Sequence, residues 1–207
     1  KEIDWWENPT IDLVPQLRRD KDLTLAVKDR TGEIGCLRFN HLLPPFDNAA
    51  IRRVVVEAMD QKEVMEAVAG ADPSLITTDV GIFVPGTPMA SKVGVEITRG
   101  PKNIDKLKQD LIAAGYKGEK IVILAASTIP TIWAEAQVAS DTLKKIGFNT
   151  DFQSLEWGSV VQRRASKEPV DKGGWNIFYT YLGGFGNITP AAAIPIQSSG
   201  TNGSWFG

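Results

Sequence analysis

Six consecutive apolar residues, Ile121 to Ala126, constrain the fold of this sequence more than any other feature. A run of this length without polar interruption is typical of a strand that is buried on both faces of its sheet. Such strands occur mostly in parallel sheets that carry helices on both sides. The run therefore predicts an α/β fold in which helices precede and follow this strand.

The segments after this run alternate between helix and strand patterns. Apolar residues recur at helical spacing over 131–146, at positions Ile132, Ala136, Ala139, Leu143 and Ile146. The sequence then predicts a strand from Phe148 to Leu155, a helix from Trp157 to Lys167 and a strand from Trp175 to Tyr181. This order predicts a mainly parallel sheet flanked by helices, with right-handed crossovers.

The first seventy residues carry shorter patterns. Two apolar runs, Leu23–Val27 and Ile34–Phe39, predict two strands that are joined through a turn at Gly32. Two helices are predicted after them, because Asp47 or Asn48 can cap the first and Asp60 can cap the second. The apolar residues that follow each cap recur at helical spacing.

Residues 71–101 are rich in Gly and Pro and therefore predict a long irregular loop. Helical periodicity resumes over 103–114 and ends at Gly115. We expect the loop to lie within one α/β unit that comprises residues 1–207, because strand and helix patterns lie on both sides of it.

Ligands of parallel α/β sheets bind beyond the carboxyl ends of the strands. Three loops leave those ends here, over 127–130, 156–159 and 182–187. Their polar and glycine positions can offer hydrogen bonds from side chains or from an accessible backbone; they are Ser127, Thr128, Gly183, Gly184 and Asn187. Their aromatic side chains suit the wall of a concave site, although ordinary packing also explains them; they are Trp157, Tyr181 and Phe185.

Two arginines, Arg163 and Arg164, lie in the predicted helix that begins at Trp157. A solvent-exposed helix face explains at least one of them. The other can bind a ligand carboxylate through two parallel hydrogen bonds. The sequence alone leaves open which arginine has which role.

Composition excludes several classes of function. The net charge is −2, whereas a nucleic-acid surface needs a clustered basic excess. Cys36 is the one cysteine, which excludes an intrachain disulfide and a cysteine-built zinc site. His41 is the one histidine, and a surface or packing role explains it. No apolar run approaches the roughly 18 residues of a membrane span. We expect no metal, no cofactor and no nucleic-acid partner.

Two alternatives to a binding role stay open at this point. In an α/β enzyme, Glu156 and Asp151 could act as general acid and base. That alternative fails if Glu156 is solvated or ties down a helix terminus. A protein-interaction module is the second alternative, and it would show a contiguous apolar surface patch.

One segment resembles a known family. Residues 37–53 read Leu-Arg-Phe-Asn-His-Leu-Leu-Pro-Pro-Phe-Asp-Asn-Ala-Ala-Ile-Arg-Arg, which is similar to the FN…PPFDN region of the dipeptide/oligopeptide-type extracytoplasmic solute-binding proteins of ABC importers (bacterial family 5). Segments farther along the chain are also similar to this family, in the same order; they are Leu111–Tyr116, Leu143–Phe148, Glu156-Trp157 and Gly173–Trp175.

The resemblance implies one lobe of a type II periplasmic-binding-protein-like fold. In that family a ligand is closed between two lobes by a hinge motion. This chain would be the second lobe, and we expect it to be a fragment because it begins without Met and ends on Ser204-Trp205-Phe206-Gly207. The implied partners are a small-molecule or peptide ligand, the missing first lobe and an ABC permease. The implied location is periplasmic or extracytoplasmic, although no signal peptide is recognisable in this chain.

The resemblance also implies roles for single residues. In peptide-binding relatives, a tryptophan that matches Trp157 borders the site, and a basic residue that matches Arg164 contributes in some members. Those relatives then carry a Trp-x-x-Asp segment whose carboxylate holds the peptide ammonium, and the matching positions here are Tyr181 and Gly184. The carboxylate is absent at that position, so the ligand could be a peptide or, as elsewhere in the family, a nickel chelate, haem, a sugar or an opine.

Overall fold

The computed structural model describes residues 3–70 and 72–196, which divide into two units after Arg30. The first unit contains a 3-10 turn, Ile11–Leu13, followed directly by the four-residue helix α1, Val14–Leu17. The predicted strand Leu23–Val27 is wrong: its residues form no strand, and their apolar side chains are largely exposed. The terminal Ser204-Trp205-Phe206-Gly207, used above to predict a fragment, lies outside the described residues.

The second unit is built on a four-stranded sheet. Its strands are β1 (Glu33–Phe39), β2 (Lys120–Ala126), β3 (Asn149–Leu155) and β4 (Ile177–Gly183), in the spatial order β1-β4-β2-β3. β2 pairs in parallel with both β3 and β4, whereas β1 pairs with β4 antiparallel. The predicted α/β fold with a mainly parallel sheet is therefore confirmed.

Five helices accompany the sheet in the described part of this unit. They are α2 (Ala49–Ala58), α3 (Gln61–Ala69), α4 (Ile104–Ala113), α5 (Pro130–Lys145) and α6 (Trp157–Arg163). Of the two candidates for the first cap, Asn48 is the cap, because its side chain accepts the Ala50 N–H. The predicted Asp60 cap is confirmed, because its side chain accepts the N–H groups of Lys62 and Glu63. None of the described helices is both long and apolar enough to cross a membrane.

α5 and α6 cover opposite faces of the sheet. Trp133 of α5 packs edge-on against Phe152, whereas Arg163 of α6 donates to Gln153, the next residue of β3. Successive strand residues point to opposite faces, so the two helices must lie on different sides. All six residues of the apolar run are buried between them, as a strand covered on both faces requires.

Two segments differ in extent from the sequence prediction. α6 ends at Arg163 instead of Lys167, because Pro169 follows and residues 162–167 contain no large apolar side chain that could be buried. β4 continues to Gly183 instead of Tyr181, because β1 supplies backbone partners as far as Glu33. Between α3 and α4, the described residues hold one 3-10 turn, Val95–Thr98, and no other helix or strand.

Candidate functional site

The carboxyl ends of β2, β3 and β4 lie at one edge of the sheet. Ala126, the last residue of β2, is aligned with Leu155, the last residue of β3. β4 runs three residues farther, since Leu124 is aligned with Phe178 and the strand continues to Gly183. The edge is therefore stepped, and Tyr181 lies on the part of β4 that projects beyond β2.

Hydrogen bonds join the loops that follow β2 and β3. The Ser127 N–H and hydroxyl both donate to the Leu155 carbonyl, at 2.8 and 3.1 Å. The Trp157 N–H donates to the Thr128 hydroxyl oxygen at 3.2 Å. The structure thus brings three of the predicted ligand-binding residues together, and the Thr128 hydroxyl keeps its own proton available for donation.

Glu156 ties down the amino terminus of α6. Its carboxylate accepts the Gly158 N–H at 2.9 Å and both the N–H and the hydroxyl of Ser159, at 2.6 and 2.9 Å. These hydrogen bonds, the one from Gly158 first, lower the pKa of Glu156. Asp151 lies in β3, five residues before Glu156, which places their backbones about 16 Å apart at 3.3 Å per residue. The two carboxylates therefore do not form the acid–base pair of the enzyme alternative.

Arg164 lies between two aromatic rings. Its guanidinium carbon is 5.7 Å from the centre of the Trp157 ring and 5.5 Å from that of Phe178. The fully buried Trp175 packs edge-on against Phe178 at 5.1 Å. Partial burial lowers the pKa of the guanidinium, and the ring faces offset part of its lost hydration. A continuous row of side chains thus leads from the core to Trp157.

The neighbouring Arg163 has a different environment. Its guanidinium donates to the carbonyls of Gly173 and Gly174, at 3.1 and 3.3 Å, and to the Gln153 side chain. Arg163 therefore fixes α6 to β3 and to the segment before β4. Arg164 is the arginine beside Trp157.

The end of β4 contains both accessible and buried candidates. Gly183 is exposed, with open space where a Cβ would be, and the Phe185 ring is 73% exposed. Gly184 is buried, and its N–H donates to the Gly32 carbonyl at 2.7 Å. Asn187 is also buried, and its backbone carbonyl accepts the Val84 N–H at 3.2 Å. Substitutions at the accessible Gly183 and Phe185 should therefore have different effects from substitutions at the buried Gly184 and Asn187.

We expect Gly184→Ala to destabilise the protein and Gly183→Ala to leave its stability unchanged. A Cβ on Gly184 would lie 2.2 Å from the Thr31 carbonyl oxygen, so the backbone must shift at a cost of about 1–3 kcal/mol. A Cβ on Gly183 meets no atom within 4 Å. Urea unfolding of both variants tests this difference, and equal midpoints would contradict the close approach at Gly184.

Sequence reasoning missed a buried carboxyl group on the α5 side of this edge. Glu135 is 6% exposed, and its Oε1 occupies the position of a side chain at Gly35, 2.0 Å from where a Cβ would lie. Burial, and then the charge of Glu33, raise the pKa of Glu135 to about 8. The sequence signal for this burial is that Glu135 lies next to Ala136, which belongs to the apolar stripe of the helix. In the described part of the chain, no three His, Cys, Asp or Glu residues are grouped as a metal site would require.

Comparison with known proteins finds a matching family model and a related transport protein. The family model described as bacterial extracellular solute-binding proteins, family 5, middle part, matches residues 1–205. A "probable peptide ABC transporter periplasmic-binding protein" of Sinorhizobium fredii is 35% identical over 183 residues, which are 86% of this chain and 34% of the relative.

Solved structures show the same fold. AppA from Clostridium difficile superposes with a TM-score of 0.75 at 17% identity, covering 96% of this chain and 40% of that protein. The periplasmic binding protein DppA from Helicobacter pylori, in complex with the peptide STSA, gives a TM-score of 0.66 at 20% identity over 90% of this chain and 34% of that protein. This chain thus spans between a third and two fifths of the length of these proteins.

Proposed function

Because this chain belongs to family 5 of the bacterial extracellular solute-binding proteins, we propose that it forms a ligand-binding lobe of an ABC-transporter substrate-binding protein. The lobe takes part in capturing a peptide, or a related small solute, for import. The match of the family model to nearly the whole chain carries this proposal. The stepped strand edge supports it, since parallel α/β sheets bind ligands there.

The ligand contacts the residues that the edge leaves accessible. Trp157 supplies an aromatic wall, and Arg164 beside it supplies a positive charge. Thr128 and the exposed backbone at Gly183 supply hydrogen bonds, and Tyr181 and Phe185 border the far side. Three further residues support the site indirectly, because their hydrogen bonds hold the loops that carry these contacts; they are Ser127, Gly184 and Asn187.

This lobe binds its ligand without chemical change. Glu156 is used as a helix cap, and Asp151 accepts a hydrogen bond from Gln153 at 2.9 Å and lies 3.8 Å from the Lys120 ammonium. A general acid–base pair must reach one substrate from both sides, which these two positions do not allow. The Sinorhizobium fredii relative is likewise a transport protein by name.

The whole protein works with partners that extend beyond this chain. A first lobe closes over the ligand, and an ABC permease in the membrane receives it. The place of action is the periplasm or the outer face of the cell. A peptide is the ligand class we propose, because the Sinorhizobium fredii relative is named for peptide transport and the Helicobacter pylori structure contains a peptide.

Native mass spectrometry of the full-length protein, purified without added ligand, tests this function. We expect a series of adducts with peptide masses, because a ligand enclosed between two lobes dissociates slowly. A single adduct of another mass would replace the peptide by that solute class. A clean apo mass, followed by no binding in a screen of peptides and small solutes, would contradict the proposed function.

We expect Trp157→Ala to weaken ligand binding in the full-length protein by more than about 1 kcal/mol, as is typical of a truncated aromatic anchor. The variant loses the aromatic wall and also the ring that covers Arg164. Trp157→Phe is the matched control and should retain most of the affinity. Unchanged affinity of a folded Trp157→Ala protein would remove Trp157 from the site.

A further inference from the structure

Part of the long loop between α3 and α4 closes on itself. A Cβ on Gly81 would lie 2.4 Å from the Ser91 carbonyl oxygen, so the backbones at these two positions are in close contact. The Gln61 side chain of α3 holds the start of this segment, since it donates to the Val80 carbonyl at 2.8 Å and accepts the Val80 N–H at 3.1 Å. Residues 81–91 therefore form an Ω-loop, a compact surface loop whose ends lie close together and which often carries function.

Two tight turns give the Ω-loop a defined shape. The Val84 carbonyl accepts both the N–H and the hydroxyl of Thr87, at 3.2 and 2.7 Å. Pro85 and Gly86 occupy the centre of this turn, and Gly86 has a φ of 83°, as the third residue of a type II turn requires. The Ala90 N–H then donates to the Thr87 carbonyl at 3.1 Å. The loop is thus organised before any ligand binds, which lowers the entropic cost of binding.

The Ω-loop is attached to the candidate site at the end of β4. Val84 is 4% exposed, and its N–H donates to the carbonyl of Asn187, the last residue of the 3-10 turn that follows β4. Pro85 therefore lies next to the turn that carries Phe185, whose ring is 73% exposed. The stepped edge thus continues from β4 onto the Ω-loop.

The surface that the Ω-loop adds to this edge is apolar. Pro85 and Pro88 are exposed, and Met89 is 45% exposed. Residues 81–91 include no charged side chain. Apolar side chains that are exposed together mark interaction sites, and the flexible thioether of methionine adapts to apolar partners of different shape. The Ω-loop therefore suits an uncharged, apolar part of a ligand.

We propose that the Ω-loop is a specificity-determining wall of the site, and that its Pro85 and Met89 contact an apolar side chain of the ligand. Trp157 follows β3, and the Ω-loop adjoins the end of β4, with β2 between the two strands. Neighbouring strands are about 4.8 Å apart, so β3 and β4 are separated by about 10 Å, the length of about three extended peptide residues. A peptide that contacts Trp157 therefore reaches the Ω-loop with a residue near its other end. The inference rests on the proposed function, since it names the class of side chain that the same edge selects.

Calorimetry of the full-length protein with trileucine and trialanine tests this proposal. We expect the wild type to bind trileucine about tenfold more tightly, as added methylenes do in an apolar site. Met89→Gln keeps the length of the side chain but adds a polar amide, so it should reduce this preference by about threefold or more. Met89→Leu is the matched apolar replacement and should retain the preference. Ile112 is 72% exposed in the last turn of α4, before the amino end of β2, so the control Ile112→Gln should behave as wild type.

The pattern of loss across the two peptides identifies what the Ω-loop contacts. An unchanged preference in Met89→Gln would show that no ligand side chain lies against Met89 and would overturn the proposal. An equal loss of affinity for both peptides would also overturn it, because it would place Met89 against the closing first lobe. If Met89→Gln does not melt as a folded protein, Pro85→Ser gives the same comparison.

A tryptic digest of casein as the probe separates this inference from the proposed function. Peptides that the full-length protein retains from the digest are identified by mass spectrometry. We expect the wild type to enrich peptides with apolar side chains, and Met89→Gln to retain peptides with fewer of them. The same peptides on both proteins would leave peptide capture intact and overturn the role of the Ω-loop alone. If the wild type retains no peptide and binds neither tripeptide, peptide capture is contradicted and this inference with it.

Discussion

Replacing Glu135 by Gln should remove a pH dependence from the stability of this protein. The pKa of the Glu135 carboxyl is raised to about 8 in the folded state by burial and by Glu33, whereas an exposed Glu titrates near 4.3. Between these values the folded state holds a proton that the unfolded state has released, so stability falls as the pH rises. One pKa unit corresponds to about 1.4 kcal/mol, so the loss between pH 4.5 and pH 7 is roughly 3 kcal/mol.

Urea unfolding of the wild type and Glu135→Gln between pH 4.5 and pH 9 measures this effect. The difference between the two unfolding free energies should change by roughly 3 kcal/mol in favour of the variant up to pH 7 and level off above pH 8. Any difference in packing between the amide and the carboxyl group is the same at every pH, so it does not affect how the free-energy difference changes with pH. Two parallel curves would show that Glu135 titrates like an exposed carboxyl.

Truncation of Trp175 should have the largest effect on stability. The side chain is fully buried and packs edge-on against Phe178, the ring that lies under Arg164. Truncation of a buried Trp to Ala is destabilising by about 3–5 kcal/mol, because transfer free energy is lost and a cavity remains. We therefore expect Trp175→Ala to lower the unfolding free energy by this amount, measured by urea unfolding.

The half-buried Trp133 provides a matched comparison, since it also packs edge-on against one ring, Phe152. Trp133→Ala should have a smaller effect, because part of its surface is already in water. If Trp175→Ala does not fold, the smaller change Trp175→Phe gives the same ranking against Trp133→Phe. An equal effect at both positions would contradict the role of Trp175 as the support of the Phe178 ring.

The central strand could be predicted from the sequence because its pattern is local. Burial on both faces makes the run from Ile121 to Ala126 apolar throughout, and all six residues are buried as expected. The predicted order of the strands also predicts that the loops after β2, β3 and β4 lie at one edge of the sheet. In contrast, the partner of β1 could not be predicted, since β4 lies about 150 residues later and no turn between them marks the pairing.

The sequence also predicts where the residues of the candidate site lie, but it does not predict all of their contacts. The positions of Thr128 and Trp157 follow from the strand order, and the structure brings them into contact. The roles of Arg163 and Arg164 depend on which carbonyls and rings lie nearby, which adjacent positions in a helix do not reveal. Glu135 was missed for the same reason, because its contact with Gly35 joins residues 100 positions apart in sequence.

The pairing of β1 with β4 also has a consequence for the time course of folding. β2 and β3 are close in sequence, so β2, α5 and β3 can assemble early, whereas contacts between distant residues form late. Glu33 is paired with Gly183, 150 residues away (183 − 33). At about 5–20 residues per second, the ribosome needs roughly 8 to 30 s to make that stretch. During this interval β1 has no partner strand, so its exposed backbone is the part of the nascent chain most open to mispairing.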